Sequence, residues 1–172
     1  MASPTIEIQP EASGFGASIH GIDLRVALSE SEQQAVRRAW ADHSVLSFPD
    51  QPLEILDLER ITAYLGYFGE DPFVEALADH PHVIKVSRSA DEKSIVFGGA
   101  WHSDWSFQQT PPSATLLHAR IIPPIGGNTK YADTARAYEA LSDEWKERVA
   151  NLRAIHSASA AYGVSGALAK DP

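Results

Sequence analysis

Short apolar stretches alternate along the chain with segments of helical period, and that pattern sets the first expectations. Thr5–Ile8 alternates apolar and polar residues, the two-residue period of a strand with one buried face. Gly14, Gly16 and Gly21 then punctuate a loop-rich stretch. Ser29 followed by Glu32 is a capping-box pair, and it opens a helix carrying Ala35, Val36, Ala39 and Trp40 on one face. Val45–Phe48 reads as a short buried strand, closed by the turn signal Pro49–Asp50. Leu58, Ile61, Leu65 and Phe68 recur at helical spacing and predict a second helix from about Asp57 to Phe68.

The second half of the chain is richer in strand signals. Val83–Val86, with β-branched Val83, Ile84 and Val86, predicts one strand, and Lys93–Phe97 is another candidate. Ala114–Ile122 is the most persuasive, an apolar run broken only by His118 and Arg120 and stopped by Pro123, Pro124, Gly126 and Gly127. Thr129–Ala132 is a further short strand. Asp133 or Thr134 caps a helix through Leu141. Ser142, with Asp143 and Glu144 in the first turn, opens another that reaches Leu152. After Ser157 the residues become small and polar and the pattern fades. Short strands with helices packed outside them, in no regular βαβ alternation, predict a mixed α+β fold with an antiparallel or jelly-roll core.

Composition narrows the function classes. The 172 residues, 44% hydrophobic and 22% charged, fit a single domain over residues 1–172 with a sizeable core. The net charge is −9, from 23 acidic and 14 basic residues, and no Lys/Arg cluster stands out. A nucleic-acid groove needs concentrated positive charge, so no nucleic-acid partner is expected, and the same balance disfavours an anionic membrane surface. A small anionic substrate stays compatible, because local charge in a pocket can oppose the global sign. There is no cysteine, which excludes disulfides, zinc–thiolate sites and thiol nucleophiles, so any metal is held by His, Asp or Glu. No apolar run approaches membrane-spanning length, and Met1–Pro10 lacks the basic-then-apolar order of a secretory signal. A cytoplasmic location is the default expectation. The oligomeric state is left open, a homo-oligomer included.

Trp101-His102-Ser103-Asp104 is the segment with chemistry. In an extended segment residues i and i+2 point to the same side, so His102 and Asp104 present an imidazole nitrogen and a carboxylate oxygen together. That is two-thirds of the facial triad of non-haem iron(II) oxygenases, in which three protein ligands on one face leave the other face open. The triplet alone has low specificity in a chain with 7 His and 23 acidic residues, where a loop His hydrogen-bonded to a nearby carboxylate is the commoner arrangement.

The surroundings are more specific. Trp101-His102-Ser103-Asp104-Trp105-Ser106-Phe107 continues through Thr110-Pro111-Pro112, Leu117-His118-Ala119-Arg120, Pro123-Pro124, Gly126-Gly127-Asn128-Thr129 and Ala137-Tyr138-Glu139-Ala140-Leu141-Ser142. In order and spacing this string resembles the taurine dioxygenase family of iron(II)- and 2-oxoglutarate-dependent dioxygenases. Gly21-Ile22-Asp23-Leu24, Leu28-Ser29, Phe48-Pro49-Asp50-Gln51 and Phe68-Gly69-Glu70 resemble the opening region of that family, and the likeness runs roughly from Ile6 to His156.

The resemblance implies a double-stranded β-helix (jelly-roll) core with flanking helices, Fe(II) and 2-oxoglutarate as cofactors, and molecular oxygen and a small organic molecule as substrates. It implies that His102 and Asp104 are the first two iron ligands. It also implies that Thr129, aimed inward by the turn at Gly126 and Gly127, hydrogen-bonds a carboxylate of 2-oxoglutarate. The family's third ligand, a distal His, and the Arg that clamps the other end of 2-oxoglutarate have no counterpart: no His here is followed by an Arg ten or eleven positions later. The expectation is therefore the N-terminal portion of a longer jelly-roll domain, or a truncated relative. The taurine enzyme's sulfonate contacts, a His soon after Phe-Gly-Glu and an Asn just before the iron triplet, are also unmatched. Asp71-Pro72-Phe73 and Gly98-Gly99-Ala100 stand there, so the reaction class is expected and taurine is not.

Other residues are read more plainly. His118 is expected to be a packed, hydrogen-bonded strand residue and His156 a structural one. His80 and His82 are expected near the surface. Trp101, Trp105 and Phe107 are expected to be core or to wall the site, and Arg120 to be a solvated strand end or a balance for buried charge. Two further functions compete with the enzyme: a non-catalytic binding or assembly module with half a site, and a jelly-roll holding another metal, such as a cupin-type isomerase.

Overall fold

The computed structural model describes residues 6–71, 73–93 and 99–159. It is mixed α/β, and its residues divide into two compact units: Met1–Phe68 with Leu116–Ile125, and Gly69–Thr115 with Gly126–Pro172. Among the described residues, no helix is long and apolar enough to cross a membrane.

The first unit holds a small sheet and two helices. Strand β1 (Glu7–Pro10) pairs antiparallel with β2 (Ala17–His20), Ile8 opposite Ile19, and β2 pairs in parallel with β3 (Leu46–Ser47), Ala17 opposite Leu46. Central β2 alternates as the two-residue period requires: Ala17 and Ile19 are buried while Ser18 and His20 are half-buried. Ser18 turns its hydroxyl to that of Ser47 on the neighbouring strand, 2.8 Å away. Exposed β1 ends in Pro10, a residue suited to an edge because it donates no ladder bond. Gly16 enters β2 at φ 89°, a backbone conformation that residues with a Cβ rarely adopt.

Helix α1 (Glu30–His43) begins at the expected capping box. The Ser29 hydroxyl accepts from the Glu32 amide (3.3 Å), while the Glu32 carboxylate accepts from the Ser29 amide (2.7 Å) and hydroxyl (2.6 Å). Those bonds, the hydroxyl's first, hold the Glu32 carboxyl below its ordinary range. A cap of this kind stabilises a helix by about 1 kcal/mol. Helix α2 (Ile55–Leu65) starts two residues before the position expected from the periodicity and ends three before Phe68. Val36 and Ala39 of α1 and Ile61 of α2 meet Ile19, Ile22, Leu24, Leu28 and Leu53 in one buried cluster. The expected faces thus do turn inward. Trp40, Leu58 and Phe68 are only half-buried at their margins.

Side chains complete the loops around this core. Arg37 donates to the Tyr64 carbonyl, joining the two helices. Buried Leu24 has both backbone groups served by side chains: its amide donates to Gln51 Oε1 (3.0 Å) and its carbonyl accepts from Arg60 (2.9 Å). Gln51 Nε2 donates in turn to the Ile22 carbonyl (3.0 Å). Gln51 therefore ties the Phe48–Gln51 turn to the Gly21–Leu24 loop, two segments more than 25 residues apart in the chain.

The strands expected beyond residue 80 differ from what is observed. Val83–Val86 forms no strand among the described residues; Val83 instead closes a tight turn, accepting from the Leu77 amide and donating to the His80 carbonyl. Ala114–Ile122 and Thr129–Ala132 likewise form no described ladder. Lys93–Phe97 lies outside the described residues except for Lys93. Leu116 and His118 are half-buried, Leu117 and Ala119 are exposed, so the segment keeps a strand's side-chain alternation without its hydrogen bonds. Patterning specifies faces; a strand needs a neighbour as well. In the second unit, α3 (Thr134–Glu139) is capped by Asp133 and α4 (Asp143–Val149) by Ser142, as expected, and both stop two or three residues early.

Candidate metal centre

The candidate centre lies in the second unit, where the chain runs from extended residues into a turn over 104–107. The turn depends on Trp105, whose φ of 45° is positive. For a bulky residue this conformation is uncommon and holds about 1–3 kcal/mol of strain. Neighbouring contacts keep it in place. Gln108 donates its amide to the Trp105 carbonyl (2.9 Å) and its side chain to the Glu70 carbonyl (2.8 Å). Phe107 meets Phe73 edge-on at 5.7 Å. His156 Nδ1 and the Ser106 hydroxyl are 2.8 Å apart, which ties the segment after α4 back to the turn.

Within this frame His102 and Asp104 face each other. His102 Nε2 is 3.0 Å from Asp104 Oδ1. The other ring nitrogen, Nδ1, is 2.8 Å from the Ala100 carbonyl oxygen. That oxygen can only accept, so Nδ1 carries the proton, and in the neutral imidazole Nε2 presents a lone pair. The lone pair points at a carboxylate oxygen, and two acceptors at this separation repel unless a proton or a cation lies between them. On the far side of the carboxylate the Thr115 hydroxyl donates to Oδ2 at 2.6 Å, leaving Oδ1 for the imidazole side. Both side chains are open to solvent, His102 at 52% and Asp104 at 37%, so an ion has access.

The pair fits an octahedral metal ion. Two ligands about 2.1 Å from an ion and about 90° apart at its centre stand about 3.0 Å from each other. A backbone acceptor on Nδ1 is the usual outer partner of a metal-binding His, because it fixes the tautomer that frees Nε2. Among the described residues no cluster of three His, Asp or Glu that could hold a metal ion forms.

The other expected site residues fall as follows. Thr129 is exposed directly after the expected turn, with Gly126 at φ 83° and Gly127 at φ 71°. Among the described residues, no hydrogen bond joins its hydroxyl to the His102–Asp104 pair. Trp101 is 70% exposed and is not core, whereas Trp105 and Phe107 are half-buried. The indole Nε1 of Trp105 is buried without a hydrogen-bond partner among the described residues. Arg120 balances no buried charge; its guanidinium donates to the Leu53 carbonyl at 2.7 Å in the first unit. Thr115 and Ser106 were not singled out from the sequence, and their only signal was a hydroxyl within a dozen residues of Asp104.

Comparison with known proteins places this geometry in context. A family model described as taurine catabolism dioxygenase TauD, TfdA family matches residues 7–171. The (S)-phenoxypropionate/alpha-ketoglutarate-dioxygenase of Sphingobium herbicidovorans is 30% identical over 160 residues, covering 90% of this chain and 54% of that protein. The alpha-ketoglutarate-dependent 2,4-dichlorophenoxyacetate dioxygenase of Cupriavidus pinatubonensis is 32% identical over 163 residues, covering 84% and 55%. Among solved structures, a taurine dioxygenase from Burkholderia xenovorans superposes with a TM-score of 0.71 at 28% identity, covering 86% of this chain and 52% of the other. AAD-2 in complex with Mn(II) and N-oxalylglycine superposes with a TM-score of 0.60 at 28% identity, covering 84% and 49%. The chain spans about half the length of the curated relatives it matches.

Proposed function

The chain belongs to the TauD, TfdA dioxygenase family, and from that premise we propose that it carries the first half of the active site of a non-haem iron(II)- and 2-oxoglutarate-dependent dioxygenase. In the whole protein it forms the N-terminal portion of a jelly-roll domain. The distal His that is the third ligand, and the Arg that clamps 2-oxoglutarate, come from the half of the family's length outside this chain. When bound, the iron centre couples decarboxylation of 2-oxoglutarate to succinate with hydroxylation of a small organic substrate by molecular oxygen.

The chain's own residues bind and orient. His102 contributes Nε2, held in the correct tautomer by the Ala100 carbonyl. Asp104 contributes Oδ1, and its negative charge offsets part of the ion's charge at the protein–solvent boundary. The Thr129 hydroxyl donates to one carboxylate of 2-oxoglutarate. The observation that carries the proposal is the 3.0 Å approach of His102 Nε2 to Asp104 Oδ1, a separation that matches two neighbouring ligands of one shared cation. Relatives named for phenoxyalkanoates and for sulfate esters make small organic anions the first substrates to assay.

The test uses the full-length protein. Iron(II) binding should be abolished or weakened at least about a hundredfold by His102→Ala and by Asp104→Ala, and 2-oxoglutarate should be converted to succinate by the wild type alone. Wild-type metal affinity in the Asp104→Ala protein, or no succinate from the iron-loaded wild type, would refute it.

A further inference from the structure

We propose that Thr115 is a positioning residue for Asp104, holding the carboxylate so that a single oxygen faces the metal. The inference rests on the iron-centre reading above and adds to it a residue that the sequence patterning left as an ordinary strand position. The Thr115 hydroxyl donates to Asp104 Oδ2 at 2.6 Å, a short bond of the charge-assisted kind. Asp104 Oδ1 is then the oxygen turned toward His102 Nε2, 3.0 Å away. The two oxygens of one carboxylate therefore have separate tasks, one tethered to a hydroxyl and one offered to the ion beside the imidazole.

The tether decides how the carboxylate binds. A free aspartate rotates about its Cβ–Cγ bond with a broad, roughly two-fold preference. An untethered carboxylate at 37% exposure would be hydrated on both oxygens and could offer either or both to an ion. Occupying one lone-pair site of Oδ2 favours ligation by Oδ1 alone, which would leave room beside Asp104 for a co-substrate. His102 is constrained in the parallel way, through Nδ1 and the Ala100 carbonyl. Each of the two ligands thus has one outer partner supplied by this chain, and outer partners of this sort typically change metal affinity or activity about ten- to hundredfold when removed.

Thr115→Val removes the hydroxyl and keeps the shape; Thr115→Ser keeps the hydroxyl and removes the methyl. Thr115 is exposed, so neither change should disturb folding. In the full-length protein we expect Fe(II) and Co(II) affinity to fall about ten- to hundredfold in Thr115→Val, with the visible Co(II) band altered. Thr115→Ser should restore both to within about threefold of wild type. Wild-type affinity and an unchanged Co(II) band in Thr115→Val, while Asp104→Ala loses the metal, would overturn this inference and leave the iron centre standing. Equal losses in the Val and Ser variants would overturn the hydroxyl's role. Failure of the wild type itself to bind either ion would overturn the iron centre and this inference together.

Discussion

Gln51→Ala should destabilise the first unit by about 2–6 kcal/mol, although the side chain lies in a turn and contributes nothing to the hydrophobic cluster. The magnitude follows from what the amide serves. Leu24 and Ile22 are 4% and 7% exposed, so their backbone groups cannot turn to water. Gln51 supplies the acceptor for the Leu24 amide and a donor for the Ile22 carbonyl, both at 3.0 Å. Its third bond, to the exposed Pro49 carbonyl at 3.3 Å, is replaceable by solvent. Each buried group left without a partner costs about 1–3 kcal/mol, and two such groups give the stated range. Gln51→Glu keeps the acceptor but replaces the donor with a carboxylate oxygen facing the Ile22 carbonyl, so it should cost at least about 1–3 kcal/mol. Exposed Gln9, whose side chain reaches only Glu7, provides the control: Gln9→Ala should stay within about 0.5 kcal/mol of wild type. Urea unfolding of the three variants measures the global effect, and hydrogen exchange at the Leu24 amide reports the local one. A Gln51→Ala protein whose stability and Leu24 exchange both match wild type would show that the loop does not depend on this side chain.

Three further outcomes are expected. Ser44→Gly should stabilise the protein by about 1 kcal/mol in urea unfolding, because Ser44 closes α1 at φ 64° and ψ −37°, where a Cβ is penalised. The Asp23 carboxyl, held down to about 2 by its hydrogen bonds from the Arg25 side chain and amide, should titrate near that value by NMR and return toward 3.8 in Arg25→Ala. Because its folded value is depressed, its contribution to stability is complete above the unfolded value of about 3.9 and disappears as pH falls through about 2. Thr129→Val should weaken 2-oxoglutarate binding about tenfold or more by titration calorimetry while leaving Fe(II) affinity unchanged, as expected for a hydrogen bond to a charged group.

Leu117, Ile121, Ile122 and Ile125 are all more than 60% exposed, in a segment whose composition suits a buried sheet. Their alternation is local and was legible in the sequence. Their hydrogen-bonding partners are not among the described residues. An assay of the full-length protein by hydrogen exchange would show whether the amides of 116–122 become protected.

What the sequence determined by itself is what short-range physics controls. The capping box at Ser29 and Glu32, the caps at Asp133 and Ser142, and the positive φ of Gly126 and Gly127 each depend on a few consecutive residues, and each is found at the expected position. The juxtaposition of His102 and Asp104 belongs to the same class, since two positions of backbone suffice to bring the side chains together. Only the tertiary structure decided which extended segments pair, and that Gln51 would serve Leu24 and Ile22, Thr115 would hold Asp104, and His156 would reach Ser106 fifty residues away. Those contacts join positions from 11 to 50 residues apart in the chain. A hydroxyl or an amide carries no mark of its distant partner, because the partner is chosen by which backbone groups burial has left unsatisfied.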